Sequence, residues 1–536
     1  MKTLTHRWMN LVSTLILFVV SPLLHAQYTE LHNFDWHKEG ANPNLPALLA
    51  QGLDGSLYGT LQSQLFHDGS VFSCAPDGTV LDLHDFLGQP DGNTPQSGLS
   101  LGWDGNLYGT TETGGTSNKG TVFKYRDGVV TILYSFTNGA DGAFPWAPPI
   151  QAPDGNIYGT TFNGTTPGTA YKVTPSGVFS VIANLPSKTQ APLILGTDGN
   201  LYGTTQYGGT SNQGTVFQLT TKGKLKIIHS FSTSGTDGQH PSGPVLQAAD
   251  GKLYGTTPWG GANSLGTVFV MSTSGGGYKV LHNFLVADGE NPDAGLVQGS
   301  DGFLYSVAQV GGANGKGTLF KIDTKGKTFA VLHDFATADG DTPMSTPTLH
   351  TNGIIYGTAE HGGTQFPGYG VLYSYNAGLH PFASLVVIWS GKVGDSVGII
   401  GQGFSNATGV SFGNGAGEFV AINDTAMIAK PAAGAMTGQV KVHEPGGDLV
   451  TPQTFKVIPT IASFSPKSGP VGTQVVITGM SLKQTSSVTI GKAKAAFTID
   501  SDTQVTATVA AGAVTGTVTL KTKGGSATAT GKFTVN

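Results

Sequence analysis

Residues Asp104–Thr111 read DGNLYGTT, Asp198–Thr205 repeat the same eight letters, and Asp154–Thr161 differ only in carrying Ile157 in place of the leucine. An acidic residue, a glycine and an amide in a row suit a metal loop, a phosphate cradle or a tight turn. Periodicity decides between them. The tyrosine of the motif recurs as Tyr58, Tyr108, Tyr158, Tyr202, Tyr254, Tyr305 and Tyr356, at spacings of 50, 50, 44, 52, 51 and 51 residues. Seven copies of a unit of this length mark a repeat architecture.

Within each unit four short segments alternate with turn signals. In the third unit the strands are predicted through Ala147–Gln151, Asn156–Thr161, Gly168–Val173 and Val178–Ile182, the last after the turn Pro175-Ser176-Gly177. Elsewhere the third strand opens GTVF, at Gly120, Gly214 and Gly266. The fourth ends in LHNF or a variant starting at Leu31, Leu83, Leu133, Ile182, Ile228, Leu281 and Leu332. Four antiparallel strands repeated seven times predict an all-β chain with a seven-bladed β-propeller of four-stranded blades. The chain begins on a fourth-strand segment, Tyr28–Phe34, and the seventh unit stops after its third, Gly370–Tyr373. The N-terminal strand is therefore expected to complete the last blade and leave no open edge. Leu379-His380-Pro381-Phe382 competes for that slot, but Pro381 lacks the N–H a ladder needs.

The opening motif then has a structural role. Asp-Gly makes a hairpin turn in which glycine takes positive φ and aspartate bonds its own backbone. Leu and Tyr point to opposite faces, and both are buried where blades cover both faces. The glycine after the tyrosine is expected to admit an aromatic ring from the next blade. His32, His84, His229, His282 and His333 share one position and read as packing and hydrogen-bonding groups between blades rather than metal ligands. Cys74, the only cysteine, stands where other units place Tyr125, Val173, Leu219, Met271, Ile322 and Tyr375, and reads as a buried hydrophobe.

Composition agrees with a turn-rich β chain, since 80 of 536 residues are glycine without a collagen period. Lys2 and Arg7 precede an apolar run, Leu11–Leu24, that ends at Leu24-His25-Ala26, so residues 1–26 read as a secretory signal. The mature protein is expected to be secreted or at the cell surface, with no membrane span after cleavage. Residues 27–381 carry 15 Lys+Arg against 26 Asp+Glu, a net of −11, which argues against nucleic acid as a partner. Residues 458–536 carry 7 against 2, a net of +5.

Beyond the propeller, expected over residues 27–381, a second duplication begins. Ala432–Val442 reads AAGAMTGQVKV and Ala510–Leu520 reads AAGAVTGTVTL. Two immunoglobulin-like β-sandwich domains are predicted, over residues 382–457 and 458–536. Val386-Val387-Ile388-Trp389 stands where the second has Ser465-Pro466-Lys467, so the first departs from the pattern there and the pattern does not define its opening strand.

DGNLYGTT with GGTSNKGTVFKY (Gly114–Tyr125) and VLHNF (Val280–Phe284) resembles the Gloeo/Verruco (GloVer) tandem repeat of exported bacterial proteins, and FSPKSGPVGTQVVITG (Phe464–Gly479) resembles IPT/TIG immunoglobulin-like domains. The first resemblance implies an exported repeat protein and supplies no reaction.

In a repeat protein, what recurs is scaffold and what breaks the pattern is the candidate for function. Two loop classes face one end of the ring: the DGxxP loops at Asp91, Asp141, Asp237, Asp288 and Asp339, and the GGTSNxG loops from Gly114 and Gly208. Their pattern-breaking residues are Trp36, His37, Phe144, Trp146, Tyr207, His240, Trp259, Glu112, Glu360 and His361. Aromatic faces beside carboxylates and amides suit sugar rings. Trp36, Trp146, Tyr207, His240, Trp259 and His361 are accordingly the candidate polysaccharide-binding set, in a cell-surface binding or interaction protein. Glu112 and Glu360 are the weaker candidates for the acid and base of a glycoside hydrolase or lyase; a purely structural envelope role is the third reading. Oxygen donors cluster at Asp288, Glu290, Asn291 and Asp293, and at Asp339 and Asp341, without completing a calcium loop. No GxSxG, HExxH, paired CxxC or Walker loop occurs, and neither cofactor nor metal is expected.

Overall fold

The computed structural model describes residues 27–35, 48–62, 68–163, 167–364 and 368–536. The expected signal, Trp36 and His37 lie outside the described residues. No α-helix occurs among the described residues, and no helix there is long and apolar enough to cross a membrane.

Each repeat folds into one sheet. In blade three, Ile150–Gln151 pairs Ile157–Thr161, which pairs Thr169–Val173, which pairs Phe179–Asn184, all antiparallel. The innermost strand is shorter than Ala147–Gln151 predicts because Pro148 and Pro149 donate no ladder bond. Six blades are continuous in sequence; the seventh takes Thr348–Leu349, Ile355–His361 and Val371–Asn376 and is completed by Gln27–Asn33, with Tyr28 opposite Tyr375. The N-terminal strand thus closes the ring. Phe382, in the competing segment, instead donates its N–H to the carbonyl of Thr351 at 2.9 Å.

Each interface between consecutive blades has its own hydrophobic cluster. Val71 and Phe86 meet Leu107 and Phe123 between blades one and two, and Tyr356 and Leu372 meet Leu57 and Phe72 between blades seven and one. The leucine of each LHxF segment is a bulge: the register jumps over Leu281, between His282 opposite Val268 and Val280 opposite Phe269. Its carbonyl then presses on the turn glycine of the next blade. A Cβ at Gly326 would sit 2.6 Å from the Leu281 oxygen, and one at Gly78 would sit 2.9 Å from that of Leu31. Leu31 therefore does for blade one what Leu281 does for blade six.

The turn motif does more than its sequence indicates. One oxygen of Asp104 accepts the Asn106 N–H at 3.1 Å, and the other accepts the Tyr108 hydroxyl at 2.6 Å. The same tyrosine–aspartate bond recurs from Tyr58–Asp54 at 2.9 Å to Tyr305–Asp301 at 2.7 Å. In blade seven the Asn352 amide donates to Tyr356 instead, at 3.0 Å. One expectation needs correcting: the ring over the motif's second glycine belongs to the same blade. A Cβ at Gly203 would lie 2.5 Å from Cζ of Phe217, its cross-strand partner. Directly opposed residues are nearest neighbours on a sheet face, so the ring falls across the bare Cα before any other blade reaches it.

The two sandwiches are eight-stranded curled sheets with identical pairing order. The second opens on Thr460–Ser465, whereas the equivalent strand of the first is cut to Ser384–Leu385. Val387, at φ 59°, turns the chain out of the sheet, and the segment reaches the turn end of the propeller. Asn423 and Thr425 donate to the Leu53 carbonyl at 3.1 and 2.7 Å, and the Thr351 hydroxyl donates to that of Gly401 at 3.0 Å. Leu385, Val387 and Trp389 roof a cavity of about 360 Å³ against Leu101, Ile150 and Ile194 of the innermost strands. The departure of Val386–Trp389 from the pattern is a docking segment.

Candidate functional site

With the turn end covered, the loop end of the ring carries the pattern-breaking residues. Its scaffold explains the DGxxP motif residue by residue. The aspartate holds the LHxF histidine of its own blade: His84 Nε2 lies 2.9 Å from Asp91 and His282 Nε2 lies 3.0 Å from Asp288. The histidine stacks on a ring of the next blade, as His282 does on Phe329 at 3.9 Å and His333 on Tyr28 at 3.8 Å. These histidines are committed to packing. The residue before the proline is left-handed at Thr94, Phe144, His240, Asn291 and Thr342, an unusual conformation for a non-glycine residue. It bridges blades: Phe144 donates its N–H to Lys119 at 3.0 Å and accepts that of Phe162 at 3.0 Å. The proline then seats on the preceding blade's GTVF glycine, where a Cβ at Gly120 would be 2.6 Å from Pro145. The backbone of these loops is scaffold, and their side chains are free to vary.

Three of the singled-out side chains come together. His240 stands edge-on to Tyr207, with 4.9 Å between centroids, and to Trp259, with 5.3 Å. Its left-handed backbone and the contact of Nδ1 with the Gln206 carbonyl at 2.9 Å fix the ring. Trp259 is placed by a two-residue ribbon in which it opposes Gln239. Tyr207 is 37% and Trp259 43% exposed, high for such large rings, so both present a face to solvent. Beneath them Asp237 accepts from the N–H and hydroxyl of Ser232 and from the Tyr278 hydroxyl at 2.7 Å. Burial would raise its carboxyl, but these bonds and the His229 imidazole hold it below the usual carboxylate range.

The other candidates lie apart from this cluster. Trp146 stacks on Phe162 at 4.0 Å and 14°, with the Lys188 ammonium 4.8 Å over the Phe162 ring. Phe162 was missed by the sequence reading; the only signal is that it takes the place of Glu112 and Gln206 after the second strand. Glu112 receives the side-chain amide of Gln96. Glu360, in blade seven, is raised by burial, with Asp341 adding to the rise and His361, 3.7 Å away, opposing it. Asp341 in turn holds Lys316 at 2.6 Å. The two glutamates are therefore engaged in separate blades by separate partners.

Asp288 turns to His282 and Asp293 to the Ser242 hydroxyl, so that acidic run does not converge. Among the described residues no group of three or more His, Cys, Asp or Glu side chains could hold a metal ion. Cys74 is buried opposite Leu57, and burial, with Asp77 adding, pushes its thiol up to about 12, away from nucleophilic use.

Solved structures resemble the chain only distantly. A fungal alcohol oxidase of the AA5 family in complex with copper is 13% identical, covering 92% of this chain and 98% of its own, with a TM-score of 0.42. The tricorn protease is 12% identical over 92% of this chain and 45% of its own, at 0.34. A surface glycan-binding protein from Prevotella bryantii is 16% identical over 28% of this chain and 38% of its own, at 0.23. Likenesses this distant say nothing of ligand or reaction. No curated protein matches the sequence. Family matches are more direct: the IPT/TIG domain family covers residues 459–535, and the Gloeobacter/Verrucomicrobia repeat covers residues 16–167 and 147–373. With more than half its length in that repeat and one blade built from each copy, the chain belongs to the Gloeobacter/Verrucomicrobia repeat family.

Proposed function

We propose that the chain is an exported bacterial protein of the cell surface or extracellular space whose propeller binds polysaccharide at the junction of blades four and five. The observation that carries this reading is the convergence of Tyr207, His240 and Trp259, with two rings exposed, on the end of the ring that the sandwich leaves open. Their positions break the repeat, so scaffold needs do not account for them. Flat aromatic faces stack on the C–H faces of pyranose rings, and the flanking loop amides and hydroxyls suit sugar hydroxyls. The net −11 of residues 27–381 favours a neutral glycan over a polyanion. Cleavage through Glu112 and Glu360 has less support, because each carboxylate is engaged within its own blade.

The test is depletion of the purified protein from solution by insoluble plant, fungal and bacterial polysaccharides, beside Tyr207→Ala and Trp259→Ala. Loss of one stacking ring, about 1.5 kcal/mol or more, predicts at least a tenfold weaker association. Absence of depletion by every polymer, or depletion unchanged in both variants, overturns the reading.

A further inference from the structure

The two sandwiches repeat at an interval of 78 residues in the same register, so each shows what the other's fold requires. In the first, Ser411 opposes Lys441 and His443 opposes Asp448. At the same places the second carries Thr489 opposite Thr519 and Lys521 opposite Ser526. The architecture therefore stands without a serine, a histidine and an aspartate in this arrangement.

Those three side chains form a directed chain in the first sandwich. Asp448 Oδ1 lies 2.7 Å from His443 Nδ1, and His443 Nε2 lies 3.1 Å from Ser411 Oγ. Lys441 Nζ is 3.6 Å from the other Asp448 oxygen. The His443 bond is the largest cause holding the Asp448 carboxyl below the usual range. His443 and Asp448 keep 38% and 39% of their side-chain surface exposed, so solutes reach the face. A carboxylate that orients an imidazole, whose second nitrogen meets a hydroxyl, is the arrangement that activates serine.

We propose that Ser411 is a nucleophile, with His443 as its base and Asp448 as the positioning residue, in a site on the first sandwich that acts on carboxylic esters with accessible acyl groups. Ser411 Oγ attacks the ester carbonyl carbon while His443 Nε2 takes the hydroxyl proton. Collapse of the tetrahedral intermediate breaks the carbonyl–alkoxy bond, and the alcohol departs with the proton from His443. Water then adds to the acyl-serine by the same route and releases the carboxylic acid. The Ser411 strand is paired on both sides, to Ala416 and Lys441, so its backbone amides serve the ladder. Charge on the oxyanion falls to the Lys441 ammonium, and this restricts the site to esters with good leaving groups.

The experiment treats the full chain with a fluorophosphonate probe, maps the adduct by peptide mass, and follows p-nitrophenyl acetate turnover. A Ser411 adduct is expected, absent in Ser411→Ala and formed about 100-fold more slowly in His443→Ala. Asp448→Asn lowers kcat and leaves KM unchanged, which loss of a merely structural contact would not do. Near-UV circular dichroism confirms folding, and Ser411→Thr, matching the residue the second sandwich carries there, provides a second folded variant. In folded protein, no adduct at Ser411, or an adduct whose rate ignores His443→Ala, overturns the proposal.

Discussion

Replacing Tyr28 with alanine puts ring closure to a quantitative test. The Tyr28 ring stacks on His333 with centroids 3.8 Å apart and planes 5° apart, and it meets Phe335 at 5.7 Å and Tyr373 at 5.4 Å. Its hydroxyl donates to the Asp339 carbonyl. An aromatic side chain buries at least about 150 Å², which at ~25 cal/mol per Å² is about 4 kcal/mol when burial is complete. Tyr28 keeps part of its surface exposed, leaving about 2–3 kcal/mol, and the ring contacts add about 1 kcal/mol. Tyr28→Ala should therefore cost about 3–4 kcal/mol, measured as the change in unfolding free energy in urea. Tyr28→Phe keeps the rings, loses one hydrogen bond, and should cost about 1 kcal/mol. His380→Ala and Pro381→Ala, exposed in the competing segment, should stay within about 0.5 kcal/mol. A chain truncated before residue 36 should lose stability and regain it when a peptide of residues 27–35 is added. A Tyr28→Ala protein within about 1 kcal/mol of the parent, or a truncation that costs nothing, would refute closure by the N-terminal strand.

Gly203→Ala brings a methyl to 2.5 Å from the Phe217 ring and should cost about 1–3 kcal/mol by the same urea titration; Gly128→Ala, with nothing within 4 Å but φ +84°, should cost about 1 kcal/mol from backbone strain alone. Burial pushes the Asp293 carboxyl up to about 6 against the Ser242 hydroxyl bond. Its folded pKa thus lies above the unfolded value near ~3.9, so this group's contribution is best below about pH 4 and is lost as pH rises to about 6. Asp293→Asn should then stabilise the protein by about 2–3 kcal/mol at pH 7.5 and hardly at all at pH 3.5, and an equal effect at both would refute the assignment. The Thr351 hydroxyl donates to Gly401 and accepts the amides of Gln51 and Gln402. Thr351→Val, losing three bonds of about 1 kcal/mol each, should loosen the sandwich and speed proteolysis near residues 376–384 at least tenfold.

The candidate site was only partly legible in sequence. Tyr207, His240 and Trp259 stand out because they break the repeat, yet they are 33 and 19 residues apart in turn. Nothing local says that His240 would stand between the other two. Trp146 stands out equally, but Phe162, 16 residues further on, takes one of its faces. The Ser411–His443 contact spans 32 residues and matches no local motif; only the duplicated sandwich, read strand against strand, marks it.

Spacing and turn chemistry by themselves determined the seven blades, their four strands, the N-terminal closure and the duplicated sandwiches. Strands and turns rest on information carried within one repeat, a glycine at positive φ and a two-residue alternation; the blade count, the closure and the duplication rest on setting one repeat against another, with a strand missing at one end of the propeller and present at the other. Tertiary structure alone decided that the Gly203 ring comes from the same sheet, that Val386–Trp389 is a docking segment, and which loop side chains meet. Those outcomes depend on register between strands and on closure of the ring, which bring together residues that no local pattern pairs.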